Sequence, residues 1–262
     1  MNLSLEGKNA LVGGSSKGIG KAIAIELAHL GANVTLMARS KELLESVIGS
    51  LPILFPHQDH QYLLVDHNDL DDLHKKVNAQ AASKDFHILI NNTGGPPAGK
   101  LHEVESHILE DSFKKLLLVN HELVKLLLPG MKSSGYGRII NITSTSVKEP
   151  LHDLGISNSL RAAVSNWAKT LANELGQFNI TVNNVMPGYT STERLSELLS
   201  FRAQHLNVDL ISLETKAMEE IPMRRFGKPE EIASVVAFLA SPAASYVNGV
   251  SIAVDGGRTK SM

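Results

Sequence analysis

No cysteine occurs anywhere in the chain, which excludes disulfide staples, zinc thiolate sites and thiol nucleophiles and fits a reducing compartment. A cationic excess is missing too. Lys and Arg number 25 against 27 Asp and Glu, a formal net charge of -2, so there is no broad basic surface of the kind nucleic acids select. Long apolar runs are also absent. The leucine-rich stretch from Leu116 to Leu128 is broken by Asn120, His121, Glu122 and Lys125, too soon for a membrane span. The first residues, Met1 to Glu6, show no basic-then-apolar leader pattern. These absences predict a cytoplasmic globular protein with neither a membrane nor a nucleic acid as partner.

What the 262 residues do contain is a repeated alternation of short apolar runs with longer segments of helical period. Seven runs read as strands: Asn9–Val12, Asn33–Met37, Tyr62–Val65, His87–Ile90, Arg138–Ile142, Thr181–Val185 and Val250–Val254. Several are almost wholly apolar, as strands covered on both faces should be. Between them Ile19, Ile23, Leu27 and Leu30 recur at helical spacing before the stop at Gly31, and Pro229-Glu230-Glu231 opens another helix. The pattern predicts an α/β fold: one doubly wound Rossmann-type domain over residues 1–262, with a seven-stranded, mostly parallel sheet and helices on both faces. Residues 190–223 carry helical patterning where a quick return to the sheet is expected, and so read as a lid-like helical insertion over the carboxyl edge of the strands. Eleven histidines raise the question of a metal. His57, His60 and His67 have no helical pairing and no cysteine partner; a solvated loop accounts for them, and no metal is expected.

The chemistry begins at Val12-Gly13-Gly14-Ser15-Ser16-Lys17-Gly18-Ile19-Gly20, between the first strand and the first helix. Glycine permits the tight turn, close approach of backbone amides to a pyrophosphate, and close helix–strand packing. Gly14, Ser16, Lys17, Gly18, Ile19 and Gly20 are therefore candidate dinucleotide contacts. The second strand ends Leu36-Met37-Ala38-Arg39-Ser40, without the acid that would hold the ribose hydroxyls of NAD. Arg39, with Lys17 as a second cation, suits a 2′-phosphate, which favours NADP over NAD.

These residues and those that follow resemble the short-chain dehydrogenase/reductase family, from Lys8 to Gly257. The glycine turn has Gly13 in the family's threonine slot. Asn91-Asn92-Thr93-Gly94 is similar to its Asn-Asn-Ala-Gly element, and Asp66 fits the residue that meets the adenine ring. Asn120 matches the asparagine supporting a proton-relay water, and Asn141-Ile142-Thr143-Ser144 the element carrying the active-site serine. Pro187-Gly188, Thr190 and Thr192 match the turn beside the nicotinamide amide. Arg225 to Ile232 and Val254-Asp255-Gly256-Gly257 resemble the 3-oxoacyl-carrier-protein reductase branch. The resemblance implies hydride transfer between NADPH and a small carbonyl or alcohol substrate, acyl-carrier linked in that branch, by a homotetramer or homodimer. It places Asn92, Gly94, Asp66, Pro187, Gly188, Thr190 and Thr192 at the cofactor, and Ser144 and Asn120 at the reaction centre.

One departure matters. The family passes its proton through a tyrosine with a lysine one helical turn on, since the ammonium lowers the phenol's pKa from near 10. Here the flanking pattern puts Ser157 in the tyrosine slot and Arg161 in the lysine slot. A serine hydroxyl is a poor acid, and arginine keeps its proton. Arg161 can bind the nicotinamide ribose, stabilise an alkoxide or grip a substrate carboxylate. Tyr189 and His152 are candidate substitutes for the missing donor. Two functions follow: an oxidoreductase with nonstandard proton transfer, or a catalytically silent NADP(H)-binding sensor or scaffold.

Overall fold

The structure is a computed structural model and describes residues 1–261. Seven strands, β1 (Asn9–Gly13), β2 (Asn33–Ala38), β3 (Gln61–Leu64), β4 (Ile88–Asn91), β5 (Gly137–Ile142), β6 (Ile180–Pro187) and β7 (Ser251–Val254), form one sheet in the order β3-β2-β1-β4-β5-β6-β7. All six pairings are parallel. The expected strands are all present, with ends displaced by one or two residues. Side-chain alternation explains why their runs are apolar throughout. Ala10 and Val12 of β1 enter the core on one face, and Leu11 enters the other. Val34 and Leu36 oppose Met37 on β2 in the same way.

The first face is covered by α1 (Gly18–His29), α2 (Lys41–Ile48) and α9 (Pro229–Ala240). The second is covered by α3 (Leu70–Ser83), α5 (Val119–Ser133) and α6 (Gly155–Leu175). Between α4 (Ser106–Phe113) and α5, residues Lys114–Leu118 make one wide π-helical turn. Residues 190–223 hold two helices: α7 (Glu193–Leu206) and α8 (Leu210–Glu219) pack Leu195, Leu199 and Ala217 into a small core with Tyr189 and Phe226. Among the described residues no helix is long and apolar enough to cross a membrane.

Two features position the site. The strand order reverses between β1 and β4, so the connections after these two strands leave in opposite directions and open a crevice at their carboxyl ends. Beneath the other half of that edge, a row of amides crosses four strands. Asn91 donates to Asn141 (2.8 Å), Asn141 to Asn184 (3.0 Å) and Asn184 to the Ser251 hydroxyl (3.0 Å). These residues are register partners, so each bond locks one strand to the next. Each contributes about 1 kcal/mol, and losing one partner leaves a buried amide unsatisfied.

The histidine segment differs from expectation. His57 is exposed with φ of 67°, but His60 is half-buried and brackets two segments: Nδ1 accepts from Val34 N–H (3.2 Å) and Nε2 meets the Pro52 carbonyl (3.0 Å). His67 is half-buried as well. A solvated loop therefore describes His57 alone, because His60 is held between Val34 and Pro52 and His67 is half-buried just past β3.

Candidate active site

The glycine turn lies in the β1/β4 crevice and is held by Asn92. The Asn92 amide donates to the carbonyls of Gly13 (3.1 Å) and Gly14 (3.3 Å). Gly14 and Gly18 both have φ of +56°, in the left-handed region. A Cβ on Gly20 would stand 2.2 Å from the Gly14 carbonyl oxygen, so only glycine lets α1 start this close to β1. Ser15 is fully buried, and its hydroxyl accepts from Met37 N–H (2.9 Å), tying the turn to β2. Ser16 is half-buried and Ile19 packs against the core below. No side chain caps α1 and no acid lies in its first turn, whereas Ser40, Asp69, Thr192 and Asp209 cap α2, α3, α7 and α8. Uncapped amides, the positive dipole end and backbone without side chains fit a pyrophosphate.

Arg39 and Asp66, the residues expected at the nucleoside end, are both exposed and lie just after β2 and β3. The Asp66 carboxylate accepts from Asn68 N–H (3.0 Å) and the Asn68 amide (2.8 Å), which fixes the turn it begins. The two cations differ in their partners. The Lys17 ammonium pairs with Glu193 of α7, which raises its pKa, while Arg39 has no hydrogen bond or ion pair among the described residues. Sequence spacing could not disclose this partner, because Glu193 enters only when α7 folds back over the turn.

In the turn after β6, Gly188 donates its N–H to the Val254 carbonyl (3.0 Å), and its Cα packs so closely on Asp255 that a Cβ would fall 2.6 Å from the Asp255 Cβ. Thr190 is buried, with its hydroxyl on the Gly188 carbonyl (3.1 Å). Thr192 caps α7, and its methyl lies 3.4 Å from where a Gly18 Cβ would be. The start of α7 thus closes on the glycine turn. Gly94 is exposed with nothing near it.

The residues expected at the reaction centre lie near the end of β5 and on α5 and α6. Asn120 is buried on α5 just past the π-helical turn; its amide donates to the Leu116 carbonyl (2.8 Å) and its Oδ1 accepts no protein hydrogen bond. Ser144 Oγ accepts from Ser146 N–H (3.1 Å), which orients its lone pair and leaves its own proton to donate elsewhere. Ser157 and Arg161 stand one turn apart on α6. Arg161 Nη1 donates to the carbonyls of Ile142 (2.8 Å) and Thr143 (3.1 Å), so the guanidinium lies directly beside Ser144. Burial, and secondarily the charge of Arg194, pull its pKa down to about 10, so it stays a cation at neutral pH. The two substitute donors meet through a residue that motif reading missed: Arg202 of α7 donates to the Tyr189 hydroxyl (3.4 Å) and to the His152 carbonyl (2.9 Å). The His152 ring itself is exposed.

The family model described as enoyl-(acyl carrier protein) reductase matches residues 14–259, nearly the whole chain. The chain is a member of the short-chain dehydrogenase/reductase family. Among this family's characterised members, the NADPH-dependent reductase BacG of Bacillus subtilis is 31% identical over 261 residues, 97% of this chain and 99% of its own. The 3-oxoacyl-[acyl-carrier-protein] reductase FabG of Pseudomonas aeruginosa is 34% identical over 257 residues, 97% of this chain and 98% of its own. The crystal structure of L-sorbose reductase from Gluconobacter frateurii, complexed with NADPH and L-sorbose, covers 100% of both chains with a TM-score of 0.93 at 31% identity.

Proposed function

We propose that this chain is an NADP-dependent oxidoreductase, 3-oxoacyl-carrier-protein reductase-like, that reduces a small carbonyl substrate to the alcohol with nonstandard proton transfer. NADPH dependence is supported by BacG and by the NADPH-bound sorbose reductase. The reading includes a cytoplasmic homo-oligomer, tetramer or dimer, as the family resemblance implies. The observation that carries it is the ordering of Ser144 and Arg161 together at the end of β5, in the same crevice edge as the glycine turn.

NADPH, when bound, supplies the hydride that adds to the carbonyl carbon. Gly14, Ser16, Gly18, Ile19 and Gly20 would hold its pyrophosphate, Arg39 its 2′-phosphate and Asp66 its adenine. Asn92, Gly94, Pro187, Gly188, Thr190 and Thr192 would hold the nicotinamide side. The Ser144 hydroxyl donates to the substrate oxygen, and the Arg161 cation stabilises the negative charge that grows there as the carbon–oxygen π pair shifts to oxygen. Tyr189 then delivers the proton: Arg202 donates to its oxygen, so the phenol's own hydrogen is not spent on the protein. Ser157 leaves room where a bulkier phenol would stand, and Asn120 Oδ1 is a free acceptor for the relay. Residues 190–223 act as the lid, latched by Lys17–Glu193, by Arg194 to the Pro96 carbonyl (3.2 Å) and by Arg202 to the His152 carbonyl.

The test follows NADPH consumption by absorbance over a carbonyl panel, with NADPH binding measured separately by fluorescence. Ser144→Ala and Arg161→Ala should each lower kcat/KM by about 100-fold. Full activity in both variants overturns the assignment. Tight NADPH binding with no turnover across the panel makes the chain the silent sensor or scaffold instead.

A further inference from the structure

Burial penalises a guanidinium, so an arginine drawn into a cleft normally brings a carboxylate with it. Arg161 does not. Its Nη1 is spent on two neutral carbonyls, those of Ile142 and Thr143, and its remaining N–H groups donate to no protein atom among the described residues. The two carbonyls aim the fork without neutralising it. A second guanidinium is fastened nearby in the same manner. Arg194, in the first turn of α7, donates Nη2 to the Pro96 carbonyl (3.2 Å) in the segment that leaves β4. β4 and β5 are adjacent, with Asn91 opposite Asn141 at their ends, so the two arginines flank the gap in which Ser144 stands. They are close enough that Arg194 disfavours the charge on Arg161. The acid nearest Arg194 is Glu197, 3.7 Å away on the exposed side of α7, a pair worth little in water. Glu193, the other acid there, is taken by Lys17. Two like charges from remote segments, each aimed by neutral carbonyls, are suited to a planar anion that accepts from both forks.

We propose that Arg161 and Arg194 clamp a carboxylate of the substrate, so that this enzyme reduces oxo acids in preference to neutral carbonyl compounds. The assignment rests on the reductase reading above and names the substrate class of that site. The cofactor's 2′-phosphate is a separate matter, since Arg39 follows β2, beyond the strand-order reversal. Arg161 then has a double use. It holds the substrate by its carboxylate and keeps a cation beside the carbonyl oxygen that Ser144 contacts.

The experiment pairs acetoacetate, 2-oxobutyrate and levulinate each with its methyl ester as substrates with NADPH. Wild-type kcat/KM should favour an acid over its ester by about 10- to 100-fold, mainly through KM. Arg194→Gln, at an exposed position of α7, should bring that ratio near one; Arg161→Gln should do the same, and Arg161→Lys should restore part of it. In parallel, levulinate and methyl levulinate are titrated calorimetrically into the NADP+-loaded protein, which cannot reduce them; the acid should bind and the ester should not. Turnover with no preference for acids overturns the clamp and leaves the reductase reading standing. Acid-selective binding without turnover sustains the clamp and removes the reductase reading. Equal loss of acid and ester turnover in Arg161→Gln, with weakened NADPH affinity, makes Arg161 a cofactor residue and also overturns the clamp.

Discussion

The glycine turn between β1 and α1 is shaped by backbone packed on backbone, while the Ser144–Arg161 end is shaped by side chains drawn from remote segments. At the turn, Gly14 and Gly20 abut the Asn92 segment or one another so closely that a methyl group cannot enter. At the other end, β5 supplies Ser144, α6 supplies Ser157 and Arg161, and α7 supplies Arg194 and Arg202. On the sequence resemblance, the family's dinucleotide cradle is kept nearly residue by residue, while Ser157 and Arg161 stand where its proton-transfer pair is expected. Backbone geometry tolerates little change, whereas a cation or a hydroxyl can be delivered from several elements. One fold can therefore keep its cofactor site and exchange its chemistry.

The comparison breaks hardest at Gly20. Gly20→Ala puts a Cβ 2.2 Å from the Gly14 carbonyl, a backbone atom that cannot swing aside. We expect at least about 2 kcal/mol of lost stability and about 100-fold weaker NADPH binding, read by thermal melts and fluorescence titration. Gly94→Ala is the contrast within the same site, since nothing lies within 4 Å of its Cβ; its melting curve should shift by less than about 0.5 kcal/mol. A benign Gly20→Ala would mean that the turn is not rigid. A smaller effect sharpens the nucleoside end. Arg39→Gln should raise the Kd for NADPH about 10-fold and leave NADH within about twofold, because only the former carries the 2′-phosphate. Lys17→Gln should discriminate less, its ammonium being held by Glu193. Equal losses for both cofactors in Arg39→Gln would remove the arginine from phosphate recognition.

Legibility in the sequence divides along the same line. The seven strands are visible because both faces of the sheet are covered, which makes each strand a short apolar run. β6 extends beyond the expected Thr181–Val185 at both ends, from Ile180 to Pro187, and its Asn183 and Asn184 are polar residues inside an otherwise apolar strand. They are buried because the amide row gives Asn184 partners on both sides. Ser157 and Arg161 were paired by helical spacing, and both lie on α6, one turn apart. Arg194 and Arg202 were not legible. Both fall among the polar positions of an amphipathic helix, and only the fold of α7 onto the strand ends turns those positions toward the site. His60 and His67 looked like loop residues for a related reason, since burial outside a helix or strand leaves no periodic trace.

The mildest test concerns His67, directly after Asp66 and beside the nucleoside end. Its ring is half-buried, and its Nε2 is shut from solvent with no protein partner among the described residues. Burial lowers its pKa from 6.5 to about 4, with the Arg39 cation adding to the effect and the Asp66 carboxylate opposing it. Between those two values the unfolded chain binds more protons than the folded one. Stability is therefore complete above pH 6.5 and is lost as pH falls toward 4. Because the ring keeps partial access to water, the loss from this group should be about 1 kcal/mol. Urea unfolding at pH 7 and pH 4.5 measures it, and His67→Gln should remove that component; identical pH slopes in both proteins would show that His67 does not titrate in this window. The same ring also reports on the cofactor. A 2′-phosphate held by Arg39 offsets the cation that disfavours imidazolium, so NADP should move the His67 midpoint upward in a proton NMR titration, and NAD should leave it in place.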